Sequence, residues 1–123
     1  MLVNQTRVML YVEDVQVIRD FFVSNLGAQV VETISLPDNY TNVNLAVTPE
    51  LSLGLFPKAF IAKYSPEVLG PVPSLMFYTD KFDALYEKLG EGREKMNDTF
   101  NFADPEGNYY VIAKNPKYPI KIP

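Results

Sequence analysis

Cysteine, histidine and tryptophan are all missing from the 123 residues. The absence of cysteine excludes disulfides, thiolate nucleophiles and Cys-ligated zinc, and the absence of histidine removes imidazole both as a general base and as a metal ligand. Positive charge is scarce and scattered. Lys+Arg 11 against Asp+Glu 15 gives a net charge of -4, and the cations run singly from Arg7 to Lys121, so nucleic acid is not an expected partner. No apolar stretch reaches the roughly 20 residues that cross a bilayer, and MLVNQTRVML has no basic segment followed by a long apolar one. The expectation is a cytoplasmic protein with no membrane partner. No glycine-rich phosphate loop follows a strand, Gly90-Glu91-Gly92 reads as a helix stop, and no nucleophile is paired with a base. What is present is ordinary for one globular domain: 47% hydrophobic and 21% charged residues.

Residues Arg7 to Val12 alternate Val8, Leu10 and Val12 with Arg7, Met9 and Tyr11, the period of a strand with two unlike faces. Asp14 then caps a predicted helix with an apolar stripe of Val15, Ile18, Phe21, Phe22 and Leu26, stopped by Gly27. Three β-like runs follow, at about Gln29 to Leu36, Tyr40 to Thr48 and Leu51 to Phe56. Pro57, Pro66, Gly70, Pro71 and Pro73 interrupt the next stretch, which reads as a connection containing one short helical turn. The pattern then restarts. Ser74 to Thr79 reads as a strand, Asp80 as the cap of a helix carrying Phe82, Leu85, Tyr86 and Leu89, and Glu94 to Asn97, Thr99 to Phe102 and Asn108 to Lys114 as three more strands. The tail KNPKYPIKIP is too rich in proline to extend a sheet inward.

Val8-Met9-Leu10-Tyr11-Val12-Glu13 lies over Leu75-Met76-Phe77-Tyr78-Thr79-Asp80 without a gap, with Met on Met and Tyr on Tyr. One βαβββ unit cannot cover both faces of its sheet alone, so a repeat is informative. The predicted class is α+β: two βαβββ units forming curled mixed half-sheets around a cavity, with helices on the outside. The predicted single domain spans residues 1–123, with repeat 1 at about 6–57, the connection at 58–73, repeat 2 at about 74–114 and the tail at 115–123.

Arg7-Val8-Met9-Leu10-Tyr11-Val12-Glu13-Asp14, Phe21-Phe22, Leu26-Gly27 and Asp104-Pro105-Glu106-Gly107-Asn108 together resemble the vicinal oxygen chelate superfamily, that of glyoxalase, bleomycin-resistance proteins and dioxygenases. The resemblance runs from about Thr6 to Lys114, and the turn before the last strand is its most specific part. It implies two units enclosing a cavity and pairing of chains as a homodimer. Members that use a metal place ligands on the first and fourth strands of each unit, positions that carry over to Arg7, Gly54, Ser74 and Val111. A permanent cation, a hydrogen, a hydroxyl and an apolar side chain do not make a metal site, so neither a metal nor any other cofactor is expected.

On that resemblance the cavity-facing residues are Arg7, Met9 and Tyr11 of the first strand, Asn44 of the third, Gly54 and Phe56 of the fourth, Ser74, Met76 and Tyr78 of the fifth, and Tyr109 and Val111 of the last. Ser52, Asn42, Ala46 and Ala113 share their parity. Such a wall of rings and thioethers with a few polar tips suits a small aromatic or amphipathic organic molecule. Arg7 either meets an anionic group of that molecule or pairs with a local acid or solvent. Tyr11 and Tyr78 serve stacking better than proton transfer, since phenols near pKa 10 are poor bases, and Glu13 and Asp80 read as caps or surface charge. Phe60, Ile61 and Tyr64 either close over a bound molecule or form a satellite cluster under the connection.

The functional expectation is metal-independent binding of a small organic molecule, as in bleomycin-resistance-type sequestering proteins, with no catalytic residue. The alternatives are a lyase, isomerase or dioxygenase of the same superfamily with atypical catalytic groups, and an interaction module with a vestigial cavity. A stoichiometric divalent metal favours the first alternative, and a cavity filled by the protein's own side chains favours the second.

Overall fold

The computed structural model describes residues 2–96 and 98–115. The chain divides into two compact units, Met1–Pro73 and Ser74–Pro123.

In the N-terminal unit, β1 (Thr6–Val12) leads into α1 (Val15–Leu26), followed by β2 (Gln29–Ser35), β3 (Thr41–Ala46), β4 (Leu51–Pro57) and α2 (Lys58–Tyr64). Local chemistry sets both ends of α1. Asp14 Oδ1 accepts the amides of Gln16 and Val17 at 3.0 and 3.2 Å, and Gly27 takes a left-handed conformation with φ 69° after the last turn. The sheet order is β1-β4-β3-β2, with β1 parallel to β4 and the other pairs antiparallel. Leu10 and Val12 of β1, Val43 and Leu45 of β3, and Leu53 and Leu55 of β4 are buried, as are Ile18 and Phe22 of α1, so the core lies between helix and sheet. Each such side chain contributes on the order of 1.5–3 kcal/mol when fully buried. The opposite parity of β1 holds Arg7 and Met9, both exposed, as the alternation predicts.

The C-terminal unit runs β5 (Met76–Thr79), α3 (Phe82–Leu89), β6 (Thr99–Ala103) and β7 (Tyr109–Lys114), with sheet order β5-β7-β6 and β5 parallel to β7. Its core is aromatic, with Phe82 of α3 edge-on to Phe100 and Phe102 against Tyr110. The repeat is visible in the registers. Met9 pairs with Gly54 and Tyr11 with Phe56 in the first unit, and Met76 with Val111 and Tyr78 with Ala113 in the second. Three expectations need correction. Of the strand expected at Glu94 to Asn97, the described residues 94–96 carry one isolated bridge, Met96 to Thr99, because Glu94 and Lys95 offer no alternating apolar residue to bury, and Asn97 lies outside the described residues. Asp80 does not cap α3: Lys81 occupies that position without a side-chain bond, and Thr79 Oγ1 accepts the Lys81 amide at 2.9 Å. Ser74 precedes the strand, whose ladder begins at Met76 with Leu75 O accepting from Val111 N at 3.1 Å. The predicted tail lies outside the described residues beyond Asn115.

The turn joining β6 to β7 is organised by one buried carboxylate. Asp104 Oδ1 accepts the amides of Glu106 (2.9 Å) and Asn108 (3.0 Å), and Asp104 Oδ2 accepts the Tyr110 hydroxyl at 3.4 Å. Gly107, at φ 83°, closes the turn by donating its amide to Asp104 O at 2.9 Å. The motif Asp104-Pro105-Glu106-Gly107 is therefore structural chemistry.

Candidate functional site

Six of the candidate residues share one face of the N-terminal sheet, opposite α1. Cross-strand register sorts them into rows: Arg7 beside Ser52, with Ala46 next; Met9 beside Gly54, with Asn44 and Glu32 next; and Tyr11 beside Phe56. Tyr11 and Phe56 meet edge to face, ring centroids 6.4 Å apart. Arg7 Nε donates to Ser52 Oγ at 2.9 Å, and none of the ion pairs among the described residues involves Arg7. The local-acid alternative for Arg7 is thus not realised, and its side chain is exposed.

The middle row is built around missing bulk. A Cβ placed on Gly54 would lie 3.1 Å from Met9 Sδ, 3.2 Å from Arg7 Cδ and 3.2 Å from Asn44 Oδ1. The Arg7 stem, the Met9 thioether and the Asn44 amide therefore lean into the space that a side chain at position 54 would need. Beneath them runs a chain of amides. Asn42 Nδ2 donates to Asn44 Oδ1 and to Leu55 O, both at 3.0 Å, and Asn44 Nδ2 donates to Glu32 Oε1 at 2.8 Å. Asn42 and Asn44 are both buried, so these bonds satisfy polar groups that could not otherwise stay inside. Asn44 is consequently part of a floor.

Two hollows flank this face. One, of about 230 Å³, takes in Gln5, Arg7, Thr48, Glu50 and Ser52, with Val31, Ala46, Pro49 and Leu51. The other, of about 210 Å³, is formed by Met9 and Tyr11 with Val68, Gly70, Pro71, Val72 and Pro73 of the connection. No sequence signal marks these connection residues, and Phe60, Ile61 and Tyr64, expected either to close over a bound molecule or to form a satellite cluster, do not line this hollow. Phe60 and Tyr64 belong to a satellite cluster, in which Phe60 lies between Tyr40 and Tyr64, Tyr64 OH donates to Asp38 Oδ2 at 2.7 Å, and Lys63 pairs with the same carboxylate, while Ile61 is buried in the core. The Lys63 and Tyr64 donors hold Asp38 below the usual carboxylate range, and the Asp38 carboxylate raises the pKa values of both Lys63 and Tyr64.

In the C-terminal unit, Met76, Tyr78, Tyr109 and Val111 share the face opposite the aromatic core, with Met76, Tyr78 and Tyr109 well exposed. The guanidinium of Arg93 stands 5.7 Å from the Tyr109 ring centroid. Ser74 is exposed, two residues ahead of β5. A wider hollow of about 490 Å³ opens at the start of α3, with Thr79, Asp80, Phe82 and Lys114 on its rim, and none of the candidate residues borders it.

A divalent ion does not fit these positions. Among the described residues no cluster of three or more carboxylates, histidines or cysteines exists, Arg7 brings a positive charge, and the space over Gly54 holds a thioether, an aliphatic stem and an engaged amide.

Comparison of the whole chain with solved structures decides the architecture. It superposes on TnmS3, an antibiotic-binding protein from Streptomyces sp. CB03234, with TM-score 0.66 and 21% identity over 93% of this chain and 95% of that one. The glyoxylase/bleomycin resistance protein/dioxygenase domain from Frankia sp. EAN1pec gives TM-score 0.68 and 15% identity over 95% of each chain. The chain has the glyoxalase/bleomycin-resistance fold. This is the fold of the superfamily that its sequence motifs resemble. Leishmania major glyoxalase I, described as trypanothione-dependent, gives TM-score 0.62 and 21% identity over 88% of this chain and 84% of that one. No protein-family model matches the chain, and no curated protein matches it. Among the described residues no helix is long and apolar enough to cross a membrane.

Proposed function

We propose that this protein binds a small aromatic or amphipathic organic molecule without a metal ion, sequestering it rather than converting it. The observation that carries the metal-free part of the reading is the crowding over Gly54, where Met9 Sδ, Arg7 Cδ and Asn44 Oδ1 stand in the space a ligating side chain would need, while the open hollows at Arg7 and at Tyr11 leave room for a small molecule. Met9, Tyr11 and Phe56 supply polarizable and aromatic surface, Asn44 and Gly54 the floor, and Arg7 the cation. Met76, Tyr78, Tyr109 and Val111, with Ser74 nearby, supply a second surface of the same character. Likeness of fold to an antibiotic-binding protein supports the choice of a small molecule as partner. The reading includes a homodimer acting in the cytoplasm, with the whole chain as one domain.

Native mass spectrometry of the purified protein, paired with elemental analysis, tests this. A retained organic compound at stoichiometric occupancy with no bound metal is the expected result. Stoichiometric zinc, nickel, iron or manganese overturns it in favour of a metal-dependent enzyme. The same spectra report the dimer.

A further inference from the structure

The two hollows on the N-terminal sheet face lie at opposite ends of β1 and differ in chemistry. The Arg7 hollow is rimmed by Gln5, Thr48, Glu50 and Ser52, whereas the Tyr11 hollow is walled by Met9, Val68, Pro71 and Pro73. Arg7 spends its Nε–H on Ser52 Oγ, which fixes the plane of the guanidinium, and none of the ion pairs among the described residues involves it. Glu50 borders the same hollow without forming an ion pair with Arg7, so it offsets the positive charge only in part. A planar fork of N–H donors held in one orientation matches a carboxylate by two-point contact. At the other end, an aromatic ring and two prolines offer rigid apolar surface with little to order on binding, and the Met9 thioether adapts beside them.

Strand geometry sets the separation. Four residues divide Arg7 from Tyr11, which is about 13 Å along a strand. The Arg7 stem leans toward Gly54, one register row nearer Tyr11, while its Nε is held at Ser52 in its own row. Resting on the reading of this face as a ligand surface, we propose that the ligand is an elongated aromatic monoacid. Its carboxylate sits on Arg7, its ring against Tyr11 and Pro71, and an apolar spacer runs across the Met9 thioether and the Arg7 stem, which cover Gly54.

Isothermal titration of the whole protein with benzoate, 4-phenylbutyrate and 8-phenyloctanoate, each beside its neutral primary amide, tests the proposal. The longest acid is expected to bind at least tenfold more tightly than either shorter acid and than its own amide. Arg7→Gln collapses the ratio of acid to amide affinity, Glu50→Gln raises the affinity for the acid a few-fold, and Tyr11→Ala weakens acid and amide alike, with circular dichroism confirming that each variant is folded. Equal binding of acid and amide, or a ratio that survives Arg7→Gln, overturns the monoacid inference while Tyr11-dependent binding keeps the ligand surface. Failure of every compound to bind, or binding indifferent to both Arg7→Gln and Tyr11→Ala, overturns the ligand surface as well.

Discussion

Met9 and Gly54 stand opposite one another in the parallel β1–β4 pair, and a Cβ on Gly54 would lie 3.1 Å from Met9 Sδ. The contact is tight but one-sided, since Met9 is a flexible side chain on an exposed face, whereas Asn44 Oδ1 is held by Asn42. Gly54→Ala brings its Cβ 3.2 Å from the held Asn44 Oδ1 as well as against the yielding Met9 and Arg7 stem, and a cost of about 1 kcal/mol is expected. Gly54→Val adds two methyl groups to the same contacts, and a cost of about 2–3 kcal/mol is expected. Urea denaturation of the two variants checks the contrast, and equal costs would mean that the floor is softer than its hydrogen bonds imply.

Much of this architecture was legible because its signals are local. Asp14 and Gly27 bracket α1 at the predicted ends, since a cap needs only its own neighbours. The two faces of β1 follow from a period of two, which no tertiary contact can shift without moving every side chain. What was not legible depends on distant partners. The bond from Asn44 to Glu32 rests on the register of β2 against β3, which shifts between Val30 and Glu32, and no sequence pattern announces that irregularity. Likewise the prolines at 71 and 73 stiffen the connection without saying that it returns to Met9 and Tyr11. Glu94 to Asn97 misled because turn residues flank it on both sides, while its own charged pair has nothing to gain from a sheet face.

Tyr110 gives the protein a defined alkaline limit. Burial first, and then the Asp104 carboxylate that its hydroxyl meets, push the phenol well above its ordinary value. The raised group favours the protonated form in the folded state. Its stabilising effect is complete below the unfolded value near 10 and is lost as pH climbs from there toward the folded value. Above about pH 10 the slope from this group is no more than about 1.4 kcal/mol per pH unit. Tyr110→Phe is expected to flatten that part of the curve, as read from chemical denaturation at a series of alkaline pH values. Asp104→Ala, which strands the Glu106 and Asn108 amides, is expected to cost about 2–3 kcal/mol at neutral pH.

Tyr64 is expected to be silent in ligand binding. Its hydroxyl is committed to Asp38 and its ring to Phe60, so it holds α2 against the turn before β3 and does not border the hollow at Tyr11. Tyr64→Phe should leave the affinity for 8-phenyloctanoate within twofold of wild type in a calorimetric titration. A loss of tenfold or more would return the Phe60–Tyr64 cluster to the ligand surface.

Two glycines end helices here, and they resist substitution for different reasons. Gly27 has φ 69°, and a Cβ there would meet nothing within 4 Å, so only its backbone conformation excludes other residues. Gly90 has φ -72°, an ordinary helical value, but a Cβ there would fall 2.6 Å from Tyr86 Cδ1. The Tyr86 ring cannot easily withdraw: its hydroxyl donates to Arg93 O, and it packs edge-on against Phe100 with centroids 5.3 Å apart. Gly27→Ala should cost about 1–2 kcal/mol, and Gly27→Asn less, because asparagine tolerates the left-handed region. For Gly90 the order reverses: Ala is the smallest intrusion, costing about 1–3 kcal/mol, and Asn costs more because it adds bulk where space is the constraint. Thermal and urea unfolding of the four variants reads the ranking directly, and Asn outperforming Ala at both sites would refute the steric account of Gly90.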